Sequence, residues 1–239
     1  MKYIYGPVKS RRLGMSLGIS LTPHKICSLD CVYCQLGKTS VLTSRRKEYI
    51  KIVDILEEIK LWLENNCGDA RKLQFVTLSG AGEPSLNIGI GKLISGIKKL
   101  TGLSVAVITN ASLLSNERLR KDLLAADLIV PSLDAVSQGI FEKIDRPVKG
   151  IRAKDIVNGL IKLRKEFPGK IWLEVMIVKG INDSLEEIRK IKAAADKIGP
   201  DLIQINSPVR TTTEKNVFSV SKETLKKIKE IFGDKAKII

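Results

Sequence analysis

The sequence is marked first by what it does not contain. No uninterrupted apolar stretch in its 239 residues is long enough to span a bilayer, and Met1 to Pro7 begin no apolar run of signal-peptide length. A cytoplasmic protein with no membrane partner is therefore expected. Low-complexity segments, long linkers and close internal repeats are absent too, so one domain over residues 1–239 is the simplest organisation. Cysteine is scarce, at four residues. In a reducing compartment clustered thiols are ligands or redox groups more often than structural disulfides. Acidic side chains are in deficit, 26 against 41 Lys and Arg, for a net charge of +15.

That deficit is local. Residues 1–51 hold ten Lys and Arg against Asp30 and Glu48, a net +8, which leaves +7 for the rest of the chain. An anionic partner near this region, nucleic acid or phosphate, accounts for the excess, and so does a solvated basic face. Hydrophobic content of 44% with 28% charged residues reads as a globular chain with a sizeable core.

Apolar periodicity predicts strands over 14–22, 73–78, 103–108, 128–133, 171–178 and 201–206. It predicts helices over 51–66, 88–100, 115–125, 152–166, 184–198 and 222–232, with a last short apolar piece at 236–239. Asp183 or Ser184 caps the helix that carries Glu186 and Glu187 in its first turn. Strand then helix, six times over, implies parallel strands with helical crossovers. The expected class is α/β, a partial (β/α)6 TIM-like barrel, with a doubly wound sheet as the other arrangement of such units.

Polar residues recur just after each strand. Cys27, Cys31 and Cys34 follow the first, Ser79 to Glu83 the second, and Thr109 and Asn110 the third. Ser132 and Asp134 end the fourth, Lys179 and Asn182 follow the fifth, and Asn206 to Arg210 follow the sixth. Ligand sites in parallel α/β folds lie at the carboxyl ends of the strands, so these scattered residues are expected to converge.

The cysteines form a C-x3-C-x2-C run within eight positions. Three thiolates at this spacing suit three corners of a [4Fe–4S] cluster with the fourth iron open. Spacing alone leaves other readings open. His24 extends the run to four potential zinc ligands, Cys31 and Cys34 form a C-x-x-C redox pair, and all three thiols can simply be buried. Cys67 stands apart at a predicted helix end and is expected to be a small core residue.

With Tyr33 before the last cysteine, Cys27, Cys31 and Cys34 closely resemble the signature of the radical S-adenosylmethionine (radical SAM) enzymes. That resemblance implies a [4Fe–4S] cluster, S-adenosylmethionine and an electron donor such as flavodoxin or ferredoxin. It also implies reductive cleavage of S-adenosylmethionine to a 5′-deoxyadenosyl radical that abstracts a substrate hydrogen. Ser79-Gly80-Ala81-Gly82-Glu83-Pro84 resembles the family's Gly-Gly-Glu loop, so Gly80, Gly82 and Glu83 are expected near the methionine amino group, with Ala81 interrupting the pair. Asn110, Ser132 and Asp134 look like the positions that hold the methionine carboxylate and ribose, and Tyr33 like the one beside adenine.

Three further segments, 5–14, 178–183 and 204–210, are similar to the branch that includes the tRNA wyosine-synthesis enzymes. The chain lacks that branch's second set of cysteines before the first strand, which implies a relative with a different reaction. Arg11, Arg12, Gln204, Asn206 and Arg210 are expected to face substrate, with the adjacent Arg11 and Arg12 as a bidentate phosphate clamp and Arg210 at the mouth. Lys179 and Asn182 are the candidate catalytic pair, Lys179 as an acid partner or Schiff base. The leading substrate expectation is a tRNA or RNA base, and the second is a protein or a small phosphorylated metabolite. The rival from another class is a zinc-stabilised nucleic-acid-binding module.

Overall fold

Alternation along the strands explains the architecture. In 104–109, Val105 and Val107 join one apolar cluster while Ala106 and Ile108 join another, because successive side chains leave opposite faces of a strand. The computed structural model describes residues 1–10, 12–209, 212 and 214–239. Its strands are β1 (Ile4–Ser10), β2 (Gly14–Ser20), β3 (Ile26–Cys27), β4 (Val41–Leu42), β5 (Phe75–Ser79), β6 (Ser104–Thr109), β7 (Leu128–Pro131), β8 (Lys170–Met176), β9 (Leu202–Asn206) and β10 (Ala236–Ile238). Its α-helices are α1 (Ile52–Asn65), α2 (Cys67–Ala70), α3 (Ile90–Thr101), α4 (Glu117–Leu123), α5 (Gln138–Asp145), α6 (Ala153–Glu166), α7 (Leu185–Ile198) and α8 (Lys222–Phe232).

Eight strands form one sheet in the order β1-β2-β5-β6-β7-β8-β9-β10, parallel from β2 onward, with β1 antiparallel at one edge. Each new strand is added on the same side of the last. A doubly wound sheet reverses its order at a switch point; this one never does. The six strands expected from sequence therefore wind in one direction, as a partial barrel.

The helices cover one face. Buried Ile52, Ile55, Ile59 and Trp62 of α1 recur at helical spacing, and with Ile188, Ile191 and Ile198 of α7 they pack on Leu17, Leu78, Val107, Leu173 and Ile205. The opposite, concave face carries a small apolar cluster of Leu13, Ala106, Leu128 and Val130, with Phe75, Ile108 and Trp172 against it. Ser184 is the cap of α7, its hydroxyl accepting from the Glu187 N–H at 3.3 Å.

Two elements escape the periodicity. β1 contains Gly6 and Pro7 with a register shift between Tyr5 and Val8, which breaks alternation, and an edge strand tolerates proline. α5 is short and holds Gly139, so only Phe141 and Ile144 mark its apolar face. Cys67 is corrected: it opens the four-residue α2, which buries no residue, and it is exposed.

Candidate active site at the cysteine loop

Residues 28–40 form a loop held at its base by the short parallel pair β3–β4, where Ile26 lies opposite Val41 and Cys27 opposite Leu42. Neighbouring strand ends hold it further. The Glu83 N–H donates to the Ile26 carbonyl at 3.0 Å, and the Ser28 and Ser112 hydroxyls lie 2.6 Å apart. From α5, the carbonyls of Ile144 and Asp145 each accept at 2.9 Å, from the N–H groups of Val32 and Asp30. Inside the loop Asp30 accepts from the Thr39 N–H at 2.6 Å.

The glycines of the next loop explain how closely these segments fit. A Cβ on Gly82 would stand 2.0 Å from the Ile26 carbonyl oxygen, and one on Gly80, at φ +94°, would stand 2.7 Å from Ser20 Cβ. Only glycine lets the Ser79–Glu83 turn press against β2 and the cysteine loop. Glu83 is buried and fully engaged: it accepts from the Ser85 N–H at 3.0 Å, the Thr109 hydroxyl at 2.6 Å and the Asn110 N–H at 2.8 Å. Burial raises its carboxyl despite these donors. It ties the turn after β5 to the end of β6.

All three loop cysteines are free and half-buried. Asn110 Nδ2 donates to Ser28 Oγ at 2.9 Å and sits 3.4 Å from Cys27 Sγ. Burial, then the charge of Glu83, pushes the Cys27 thiol up to about 12. Cys31 is raised well above the ordinary thiol value by burial and then by Asp145, whose Oδ1 accepts from its Sγ at 3.1 Å. The protein alone thus resists the deprotonation that ligation requires, and a cationic soft-metal cluster would supply the missing positive charge. The donor set fits such a cluster. His24 is exposed, and among the described residues no three His, Cys, Asp or Glu side chains gather around a single-ion position.

Tyr33 donates its hydroxyl to Asp134 Oδ2, and Asp134 Oδ1 accepts from the Met176 N–H at 2.8 Å. Burial lifts the Asp145 carboxyl to about 7, and it lifts Asp134 well above the carboxylate range with help from Asp145 beside it. Tyr33, Asn110, Ser132 and Asp134 surround a closed space of about 10 Å³, room for about one water. A nucleoside entering among them must part Tyr33 from Asp134. Beside the Gly80 turn, by contrast, lies an open cavity of about 590 Å³ lined by Tyr5, Arg12, Ser20, Ser79 and Ala81.

The strand ends thus bring together Cys27, Cys31, Tyr33, Cys34, Gly80, Gly82, Glu83, Asn110, Ser132 and Asp134. Other expectations need correcting. Asn182 is fully buried: its Oδ1 accepts from the Val178 N–H at 2.7 Å, and its Nδ2 donates to the carbonyls of Asp134 at 2.8 Å and Met176 at 2.7 Å. With every polar group used, it positions the site and cannot touch substrate. Lys179 is exposed in the turn after β8. Arg12 is no phosphate clamp, since its Nη2 pairs with Glu174 on β8. Asn206 lines a separate groove of about 600 Å³ beside β10 and α8. Arg11 and Arg210 lie outside the described residues.

Sequence reasoning missed Asp145, because α5 was not expected, and Glu174, which sits mid-strand. It also missed Tyr5, whose strand has no clean period.

Residues 21–191 match the family model described as the Radical SAM superfamily. A UPF0026 protein of Methanocaldococcus jannaschii is 35% identical over 98% of this chain and 72% of its own length. A Brachyspira hyodysenteriae protein named GTPase Obg is 42% identical over 97% of this chain, which spans only 33% of that protein. Among solved structures, a radical SAM methyltransferase from Sphaerobacter thermophilus shares the fold, with a TM-score of 0.71 at 15% identity over 94% of this chain and 65% of the other. No helix among the described residues is long and apolar enough to cross a membrane. With most of its length under one family model and a fold of the same kind, this chain belongs to the radical SAM superfamily: it is an enzyme of that type, working with a [4Fe–4S] cluster and S-adenosylmethionine.

Proposed function

We propose that residues 1–239 are one radical SAM domain in which Cys27, Cys31 and Cys34 hold the cluster, and that it acts on a tRNA or RNA base. The carrying observation is the loop itself: three free thiols in a loop braced on β5, β6 and α5, at the carboxyl end of a parallel sheet, with Cys27 and Cys31 raised by burial and by anionic neighbours. When bound, cluster and cofactor supply one-electron reductive chemistry that ends in hydrogen abstraction by a 5′-deoxyadenosyl radical.

The chain's own residues have narrower tasks. Gly80 and Gly82 let the turn approach the cysteine loop, which leaves the half-exposed backbone of 80–82 to meet the cofactor's amino group. Glu83 fixes that turn against Asn110. Asn110, Ser132 and Asp134 offer hydrogen bonds at the closed space that Tyr33 covers. Leu29, Val32 and Phe141 form an apolar backing that keeps water from the thiols.

Support for a nucleic-acid base is electrostatic. Lys2, Lys9, Lys38, Arg45 and Lys47 are exposed around the same end of the chain. Anaerobic purification should yield a brown protein with about four iron per chain, and dithionite with S-adenosylmethionine should release 5′-deoxyadenosine. Alanine at Cys27, Cys31 or Cys34 should abolish both. A colourless protein with one zinc, or full iron retention in Cys27→Ala, defeats the assignment. RNA binding should fall steeply with salt, and a flat filter-binding series removes the RNA reading.

A further inference from the structure

The groove of about 600 Å³ opens at the carboxyl ends of β9 and β10, beside the first turn of α8. In the sheet order it lies at the far side from β2 and the cysteine loop. Val209, Val220, Leu225, Ile238 and Ile239 give it an apolar lining, and its volume is in the usual range for a small-molecule site. One wall is firmly held. The Ser207 hydroxyl donates to the Ile177 carbonyl at 2.7 Å and accepts from the Val220 N–H at 3.1 Å, which ties the end of β9 to the segment entering α8.

Polar groups without partners line the same groove. Asn206 is only 4% exposed; its Oδ1 accepts from the Ser207 N–H at 2.9 Å, and its Nδ2 donates to none of the described residues. A buried amide donor left open marks where a ligand or a water completes the structure. Lys222 and Lys226 also line the groove, and neither pairs with a carboxylate among the described residues. They stand four residues apart on α8, where like charges repel. Lys222 is moreover the first residue of the helix, where the backbone dipole disfavours a cation. Elsewhere helical lysines at this spacing face acids, as in Glu117–Lys121, Glu186–Lys190 and Lys192–Asp196. The neighbouring acid, Glu223, is drawn to its own N–H and to Ser221 and takes no part in the lining. Both lysine placements cost the free protein stability that a bound anion returns.

We propose that this groove binds a phosphate monoester carried on an apolar chain, its phosphate on Lys222, Lys226 and the Asn206 amide and its chain along Leu225, Ile238 and Ile239. A phosphate monoester brings about two negative charges and oxygens that accept hydrogen bonds. That matches two ammonium groups and one amide donor, whereas a carboxylate matches one ammonium. The apolar lining distinguishes such a ligand from a nucleic-acid backbone, whose phosphates carry one charge each between polar sugars. This site goes beyond the base-modification reading above and does not rest on it.

The test titrates the reconstituted holoenzyme calorimetrically with octyl phosphate, butyl phosphate, octanoate and inorganic phosphate, all below micelle-forming concentrations. Each methylene fully withdrawn from water is worth about a fourfold gain. Val209 is exposed, so the groove covers the chain only in part, and octyl phosphate should bind about tenfold more tightly than butyl phosphate. Lys222→Gln and Lys226→Gln should each weaken octyl phosphate about tenfold, with the unfolding midpoint no lower than in wild type because a like-charge pair is removed. Asn206→Leu should weaken it as well; should that variant not fold, the lysine variants decide. Octyl phosphate binding no more tightly than inorganic phosphate overturns the proposal, as does unchanged affinity in the double lysine variant. Octanoate binding more tightly than octyl phosphate overturns the choice of head group. A single-stranded oligouridylate that displaces octyl phosphate at lower concentration gives the lysines to nucleic acid and removes the site. Vesicles containing phosphatidate separate the two sources of the ligand: sedimentation with them assigns the site to a membrane lipid, and binding of octyl phosphate without it assigns a free monoester. Iron content and release of 5′-deoxyadenosine are measured on the same preparation, so loss of the radical reading and loss of this site are told apart.

Discussion

Replacing Asn182 with alanine separates a positioning residue from a catalytic one. The side chain is fully buried and makes three hydrogen bonds, at 2.7, 2.8 and 2.7 Å, to Val178 N–H and to the carbonyls of Asp134 and Met176. Each is worth about 1–1.5 kcal/mol net, and buried partners left unpaired add to the loss, so about 3–5 kcal/mol is expected. For a chain of this size that corresponds to a fall in Tm of about 10 °C. Urea unfolding measures it, with the midpoint moving and the slope unchanged. Asn182→Asp should do at least as badly, since a carboxylate would face two carbonyl oxygens. A loss below about 1 kcal/mol would refute the reasoning. So would a variant of full stability without turnover, which is the signature of a catalytic Asn182.

Gly82→Ala should cost the protein its iron, because the new Cβ meets the Ile26 carbonyl at 2.0 Å, whereas Gly139→Ala, in open space on α5, should raise stability by up to about 1 kcal/mol; unchanged iron in the first variant would count against the seating of the cysteine loop on that turn. Cys67→Ser, at an exposed position, should keep both iron content and unfolding midpoint, within about 0.5 kcal/mol. Burial holds the Glu83 carboxyl above its ordinary 4.5, so the folded chain keeps this proton more tightly than the unfolded one. Stability from this group is full below that ordinary value and declines as pH rises through the raised folded one. The stability of wild type relative to Glu83→Gln should therefore fall as pH rises above the ordinary carboxylate range, and a difference that grows with pH contradicts it.

The path from residues to site was direct where a short-range pattern carries the physics. Alternation in 104–109 and helical spacing in 184–198 name their elements because burial on one face is a local requirement. The cysteine spacing is legible for the same reason, since the three thiols proposed to hold one group lie within a single loop. Glu174 shows the opposite case. It is a mid-strand residue whose meaning comes from Gln204 thirty positions later and Arg12 more than a hundred earlier. Asn182 misled differently: a polar residue after a strand has the same look whether it meets a ligand or staples two carbonyls.

The sequence by itself determined the class of fold, the cysteine loop and the end of the sheet where the site lies, because periodicity and strand-end placement are properties of neighbouring residues. Only the tertiary structure decided between a barrel-like and a doubly wound sheet, since strand order is set by which edges pair. It alone decided which polar groups are already satisfied, as Glu83 and Asn182 are, and which are left open, as Arg12 Nε and Gln204 Oε1 are. Hydrogen-bond satisfaction belongs to pairs of groups, and those pairs form only when distant segments close on one another.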